Sequence, residues 1–314
     1  MRVAILDDYQ GVALSLAEWD SLDASVEAFR DHVAGDDRLV ARLEGFDVVV
    51  AMRERTPFTR ARLERLEGLR LLVTSGMANA SIDMEAARSR GVVVCGTGGL
   101  AAPTVELTWA LILAVARHVC AEDARIRAGG WQQELGFELS GRTLGVVGLG
   151  RLGSQVAAIG QAFGMSVIAW SQNLDAARAQ DLGVEAVEKL ELFSRADVVT
   201  VHVRLSERTR GLVGAAELAA MRPTAVLVNT SRGPIVDSDA LLAALEAGTI
   251  AGAGLDVFDS EPLPPGDPLR TAPKTVLTPH LGYVSRGSYE IYYREAVEDI
   301  AAWARGAPVR VLNG

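Results

Sequence analysis

Short unbroken apolar runs punctuate the chain, and between them lie segments whose apolar residues recur on a helical period. In the first hundred residues the runs are Val3–Leu6, Val26–Phe29, Val48–Met52, Leu71–Thr74 and Val92–Val94. Runs this short and without alternation predict strands buried on both faces, and helices placed between them predict parallel βαβ units. The pattern is that of a doubly wound sheet.

A Gly-rich stretch, Cys95-Gly-Thr-Gly-Gly99, then precedes one long helical segment expected from Thr104 to about Arg127. Beyond it the pattern restarts, with strands expected at Leu144–Val147, Val167–Trp170, Val198–Val201, Val226–Val228, Gly252–Val257 and Val276–Leu277. Among the helices between them, Asp237–Ala247 shows its own boundaries. Asp237-Ser-Asp239 caps it, Leu241, Leu242 and Leu245 form its apolar stripe, and Gly248 supplies a left-handed stop. A last helix from about Ser285 to Arg305 has no strand after it and is expected to cross back to the first domain.

At roughly 100–200 residues per domain, 314 residues predict two domains. With 49% hydrophobic and 23% charged residues the chain is ordinary globular protein, which excludes disorder and fibrous repeats. The 31 basic residues are outnumbered by 40 acidic ones, for a net charge of −9. That field repels nucleic acid and anionic membranes, so neither is expected as a partner, and a small molecule is. An anionic substrate then requires local positive groups. Apart from Lys189 and Lys274 every basic residue is arginine, whose planar fork grips carboxylates and phosphates bidentately.

The opening run Met-Arg-Val-Ala-Ile-Leu-Asp-Asp is too short for a signal-peptide core. The longest apolar stretch, Leu107–Cys120, is interrupted by Thr108, Arg117 and His118 and falls short of the ~20 residues a membrane span needs. A cytoplasmic protein is expected. Cys95 and Cys120 lack CxxC spacing, so neither a disulfide framework nor a metal site is expected, and both cysteines read as small core residues.

Residues 143–153 read Thr-Leu-Gly-Val-Val-Gly-Leu-Gly-Arg-Leu-Gly, a GxGxxG between an expected strand and an expected helix. In that context Gly148 permits the tight turn, Gly150 lets backbone approach a pyrophosphate, and Gly153 lets helix pack on strand. The helix N-terminus faces the phosphates. The residue that selects between the two nicotinamide dinucleotides should stand about 20 positions on, at Ser171-Gln172-Asn173. No acid stands there to favour NAD and no arginine to favour NADP, although Asp175 is near; NAD and NADP both remain open.

Of four histidines, His32 falls in a surface turn and His118 on an apolar helix, both structural positions. His202 and His280 follow expected strands, at the ends where open α/β sheets hold ligands. For His202 a structural or cofactor-adjacent role is expected.

With these motifs in place the sequence resembles the D-isomer-specific 2-hydroxyacid dehydrogenases. The likeness rests on Gly148-Leu-Gly-Arg-Leu-Gly153, Asn229-Thr-Ser-Arg-Gly-Pro-Ile-Val-Asp237, Gly254-Leu-Asp-Val-Phe-Asp-Ser-Glu-Pro262 and Thr278-Pro-His-Leu-Gly282, and covers essentially the whole chain. It implies a Rossmann cofactor domain (100–284) inserted into a discontinuous flavodoxin-like substrate domain (1–99 and 285–314). The implied reaction moves a hydride between a nicotinamide cofactor and a small 2-keto acid or D-2-hydroxy acid.

The resemblance makes Arg232 the substrate-binding arginine, His280 the acid/base and Glu261 its partner. Those types suit the chemistry: a protonated imidazole neutralises charge on the carbonyl oxygen, a carboxylate on the other ring nitrogen fixes its tautomer, and a guanidinium holds the substrate carboxylate. It also places Asp256 near the nicotinamide carboxamide, Arg151 and Leu152 at the pyrophosphate, and Val203 and Thr230 along the cofactor, mainly through backbone. Ser75, Gly76 and Met77 belong to the loop whose amides hold the substrate carboxylate; Ala78 stands where many relatives have a second glycine. Arg53 resembles an arginine that reaches a distal phosphate, with a capping or surface arginine as the other reading, and Tyr283 is expected to line the pocket. A homodimer through the cofactor domain is implied, with helix Leu107–Ala116 and Trp109 either at that contact or in the core. Two alternatives share the resemblance: a formate- or phosphite-type dehydrogenase, whose formate-type members usually carry Gln in place of Glu261, and an NAD(H)-sensing corepressor-like binding protein.

Overall fold

The apolar runs do become strands, and the computed structural model, which describes all of residues 1–314, orders them as follows. The chain begins β1 (Arg2–Ile5), β2 (Ser25–Ala28), α1 (Asp36–Leu43), β3 (Val48–Ala51), α2 (Arg60–Arg65), β4 (Leu71–Thr74), α3 (Met84–Ser89) and β5 (Val93–Gly96). It continues with α4 (Ala102–Ala116), α5 (Val119–Arg127), β6 (Thr143–Val147), α6 (Arg151–Ala162), β7 (Ser166–Trp170), α7 (Ala176–Asp181), β8 (Glu185–Ala186) and α8 (Lys189–Arg195). The last elements are β9 (Val198–Val201), α9 (Ala215–Ala220), β10 (Val226–Asn229), α10 (Ser238–Glu246), β11 (Gly252–Leu255), β12 (Thr275–Leu277) and α11 (Arg286–Ala304). One sheet runs β2-β1-β3-β4-β5 and the other β12-β11-β10-β9-β6-β7-β8. Every strand pairing in both is parallel.

The contacts divide the chain into two units, Met1–Leu100 with Ser285–Gly314, and Ala101–Val284. Strands β3, β4, β9, β10 and β11 bury every residue, because helices cover both faces. The edge strand β8 escapes hydrophobic pattern reading: its two residues are exposed and pair only with β7. Helix α10 starts on the Asp237 carboxylate, which accepts from Ala240 N at 3.0 Å, and stops at Gly248 with φ +67°. Its buried face is Leu241, Ala244 and Leu245, with Leu242 only half-buried.

The single helix expected over 104–127 is two, bent by 64°. The break falls at His118, whose φ of +52° is left-handed and cannot continue a right-handed helix; His118 is therefore a hinge residue rather than a helical one. No single helix is long and apolar enough to cross a membrane. Trp109 of α4 is buried and stacks on Phe163, with ring centroids 4.9 Å apart, which settles its place in the core. Of the two cysteines only Cys95 is a core residue; Cys120 is exposed, on the outer side of α5.

In the first unit α11, capped by Ser285, packs on β4 and buries Tyr289, Tyr292, Tyr293, Ala296 and Ile300. The chain end is tied to β5: Leu312 N donates to Val94 O at 2.8 Å, and the buried Asn313 side chain accepts from Val94 N and donates to Val92 O. Asp299 of α11 is wholly buried; one carboxylate oxygen accepts from Arg310 Nε at 2.9 Å and the other has no partner. Burial above all, with Glu295 and Glu298 nearby, outweighs Arg310 and pushes the Asp299 pKa up to about 7.

Since Asp299 binds its proton more tightly folded than unfolded, it contributes stability below its unfolded pKa, roughly 4, that is lost as pH rises towards 7. Asp299→Asn removes that loss, while Arg310 keeps Glu298 at 3.0 Å. The variant's stability relative to wild type should therefore grow by roughly 2 kcal/mol between pH 5 and 8. Urea titrations across that range measure it; a difference independent of pH refutes the raised pKa.

Candidate active site

Because all strands of each sheet point the same way, the segments that leave their C-terminal ends emerge along one edge. In the second unit these are the turn after β6, Ser171 after β7, His202 and Val203 after β9, Thr230–Arg232 after β10, Asp256 after β11, and Thr278–His280 after β12.

The three fingerprint glycines answer to different constraints. Gly148 has φ +103°, and a Cβ there would lie 2.9 Å from the His202 carbonyl carbon. On Gly153 a Cβ would lie 2.0 Å from Gly148 O. At Gly150, the N-cap of α6, φ is an ordinary −88° and no atom comes within 4 Å of where a Cβ would stand. The chain's own packing thus demands two of the glycines, and the third keeps open the space before the first turn of a twelve-residue helix. The amides of that turn, at Arg151 and Leu152, point into it without helical acceptors. A dinucleotide pyrophosphate fits this cradle.

Further along the edge, Ser171 is half-buried, its carbonyl accepting from Leu174 N at 3.0 Å, while Gln172 and Asn173 are exposed. The nearby Asp175 caps α7, accepting from Ala177 N at 2.9 Å. His202 Nε2 lies 2.9 Å from Thr200 Oγ1, and burial pushes its pKa down to about 4, so the ring is neutral at physiological pH. Val203 O accepts from Ser231 Oγ at 2.5 Å, and Thr230 Oγ1 meets Thr108 Oγ1 at 2.8 Å.

Arg232 ends the turn after β10. The buried Asn229 side chain spans that turn, donating to Arg232 O at 2.9 Å and accepting from Ser231 N at 3.0 Å. Next to Arg232, a Cβ on Gly233 would lie 2.1 Å from the Phe258 carbonyl carbon. This glycine lets the Arg232 turn press against the backbone that leads to Glu261. Asn229 and Gly233 are positioning residues that sequence reading left unassigned, although both stand inside the 229–237 motif.

Glu261 Oε1 accepts from Phe258 N at 3.0 Å, and Oε2 lies 2.5 Å from His280 Nδ1; its bond to Pro262 is cis. With Nδ1 occupied by the carboxylate, a neutral His280 carries its proton there and leaves Nε2 as the exchanging atom. The His280 backbone is left-handed, φ +55°, and the ring meets Tyr283 edge-on, with centroids 5.3 Å apart. Tyr283 is itself buried, a support for that ring. Asp256 is fully buried and spends both oxygens within the chain: Oδ1 accepts from Thr278 Oγ1 and Leu281 N, each at 2.6 Å, and Oδ2 from Gly282 N at 2.8 Å. Burial raises its pKa against these donors. The carboxylate stitches the end of β11 to the segment carrying His280.

The first unit gathers its own group at the corresponding edge. Ser75 N donates to Ala51 O at 3.1 Å and Gly76 N to Thr97 Oγ1 at 3.0 Å, so these two amides are spent within the chain. The Ser75 amide prolongs the β3–β4 ladder. The amides of Met77 and Ala78 stand outside the chain's own network, on exposed residues. Ala78 has no positive φ, so the loop does not require a second glycine there. Arg53 lies over the loop, its N donating to Ser75 Oγ at 2.9 Å and its Nη1 to Ser75 O at 3.2 Å. A Cβ on Gly76 would come 2.0 Å from that Nη1.

An all-parallel α/β unit with a glycine-paved strand-to-helix turn, and a histidine–carboxylate pair on the same sheet edge, has the architecture of a dinucleotide-dependent oxidoreductase. Residues 109–282 match the family model described as D-isomer specific 2-hydroxyacid dehydrogenase, NAD binding domain. The chain is 40% identical over 262 residues to glyoxylate reductase of Aeropyrum pernix, covering 80% of this chain and 78% of that protein. It is 36% identical over 265 residues to hydroxypyruvate reductase of Thermotoga maritima, covering 82% and 84%. The crystal structure of phosphoglycerate oxidoreductase from Vibrio cholerae superposes with a TM-score of 0.94 at 39% identity, covering 98% of this chain and 100% of that one. The chain belongs to the D-isomer specific 2-hydroxyacid dehydrogenase family, whose members use a nicotinamide cofactor, NAD or NADP, to act on CH–OH donors.

The glycine geometry separates packing from binding. Gly153→Ala should destabilise the protein without cofactor by roughly 1–3 kcal/mol, the usual cost of overpacking. Gly150→Ala should change that stability by less than about 1 kcal/mol yet weaken NADH or NADPH binding about tenfold or more. Denaturation midpoints and isothermal titration of the two variants test this, and Gly150→Ala binding as tightly as wild type overturns the cradle.

Proposed function

We propose that the protein interconverts a small 2-keto acid and its D-2-hydroxy acid. The observation that carries this is the 2.5 Å contact between Glu261 and His280 Nδ1 at the strand ends of the fingerprint sheet. A bound nicotinamide cofactor supplies or accepts the hydride. The chain's residues do the rest. His280, presenting Nε2, donates a proton to the carbonyl oxygen in reduction and takes it back in oxidation, while Glu261 holds the ring through Nδ1. Arg232 grips the substrate carboxylate through its planar fork, and the Met77 and Ala78 amides assist. Cofactor contacts fall to Gly148, Gly150, Arg151, Leu152 and Gly153 at the pyrophosphate, to Ser171 at the ribose, and to Val203, Thr230 and Asp256 beyond. Substrate contacts also include Arg53, with Tyr283 at the pocket wall, and the two structural units divide as substrate domain (1–99 and 285–314) and cofactor domain (100–284). The carboxylate at 261, where formate-type members usually carry Gln, favours hydroxy-acid over formate-type chemistry.

His280→Ala should lower kcat by roughly 10²–10⁴-fold, with Glu261→Gln in between and Arg232→Lys acting chiefly on KM. A panel of 2-keto acids with NADH and NADPH, followed by absorbance, tests the set. Full activity in His280→Ala sinks the acid/base role, and no turnover of any 2-keto acid sinks the reading.

We place the homodimer contact on α5 and the segment after it, where Val119 is 53%, Ile126 54%, Trp131 70% and Leu135 95% exposed. Val119, Ile126 and Trp131 line one open groove, and exposed apolar side chains of this kind suit a second copy. Trp131→Glu with Leu135→Glu should convert dimer to monomer in light scattering; dimers that persist move the contact elsewhere. A cytoplasmic setting fits two free thiols and no disulfide.

A further inference from the structure

Arg53 does not stand alone on its loop. The next residue is acidic, and Glu54 Oε2 comes within 3.8 Å of Arg53 Nε, with both side chains mostly covered. The backbone holding the two is pinned from several sides. Asn79 Nδ2 donates to Arg53 O at 2.7 Å, Arg55 N to Met52 O at 3.3 Å, Ser81 Oγ to Glu54 O at 3.4 Å, and Thr56 Oγ1 to the buried Asp7 at 2.7 Å. The network that sets Arg53 over Ser75 and Gly76 therefore sets a carboxylate beside it. Arg55, the other cation of the segment, lies over the Tyr9 ring at 4.6 Å.

We propose that Glu54 selects substrate by charge: with Arg53 it presents a neutral pair beside the Met77–Ala78 amides, so the substrate is a 2-keto acid monoanion whose far end is uncharged. The inference rests on the reaction proposed above. A hydroxyl or hydrogen at the far end accepts a hydrogen bond from Arg53, or leaves the pair alone, at no electrostatic cost. A phosphate or second carboxylate must either face Glu54 or displace it from Arg53, and like charges brought together in a partly enclosed site discriminate strongly.

The test compares kcat/KM for glyoxylate and hydroxypyruvate with that for 3-phosphohydroxypyruvate in wild type, Glu54→Gln and Glu54→Asp, at low and high salt. Wild type should favour the uncharged ends by about tenfold or more, and Glu54→Gln should narrow the ratio by about tenfold, chiefly through KM for the phosphorylated acid. Glu54→Asp should restore the preference, and salt should narrow it in wild type. A wild type that prefers the phosphorylated acid, or a ratio indifferent to both the glutamine variant and salt, overturns the role of Glu54. If Glu54→Gln does not fold, the wild-type salt dependence decides alone. Failure to reduce any 2-keto acid overturns the reaction instead.

Discussion

Parallel pairing is the constraint on which this molecule's chemistry depends. A parallel sheet needs a crossover between consecutive strands, those crossovers are helices that cover both faces, and every strand then ends at the same edge. With the faces closed, that edge is where backbone groups and loop side chains gather. The seven-stranded sheet brings six such segments to it, from Gly148 after β6 to His280 after β12, although 132 positions separate those two residues. The five-stranded sheet does the same for Asp7, Arg53, Ser75 and Thr97.

What the edge collects is then fixed by buried polar groups and by glycines that admit close backbone contact. Asp256 spends three hydrogen bonds on the segment that carries His280, Asn229 spans the turn that carries Arg232, and Gly233 lets that turn rest on the backbone leading to Glu261. All three residues are buried. Each fixes the position of a neighbouring segment, and buried polar groups without such partners would cost more than they return.

Pattern reading succeeded where burial on two faces leaves an unbroken apolar run, as at Val48–Ala51 and Val198–Val201, and where a local device marks a boundary, as Asp237 and Gly248 do for α10. It failed where a single backbone angle decides. Nothing in Arg117-His118 announces a left-handed residue, so one helix was expected where two stand. Nor does periodicity detect β8, whose two exposed residues belong to the sheet only through their bonds to β7. Cys120 and Trp109 show the same limit. An apolar stretch says that one side is buried without saying which, and the bend at His118 leaves Cys120 outside while Trp109 packs on Phe163.

The sequence by itself determined the two sheets apart from β8, the order of their other strands along the chain, the glycine turn and the family, because these depend on local composition and on motifs with fixed spacing. Only the tertiary structure decided which amides remain for a ligand. Ser75 and Gly76 belong to the expected loop, yet their N–H groups are taken by Ala51 and Thr97, residues 24 and 21 positions away, leaving those of Met77 and Ala78. It also decided that Arg53 is answered by Glu54, for a pair of neighbours in sequence becomes an ion pair only when the surrounding loops hold both side chains on the same side. Local order in the chain chooses the elements; hydrogen bonds between distant segments choose which groups are left over to do chemistry.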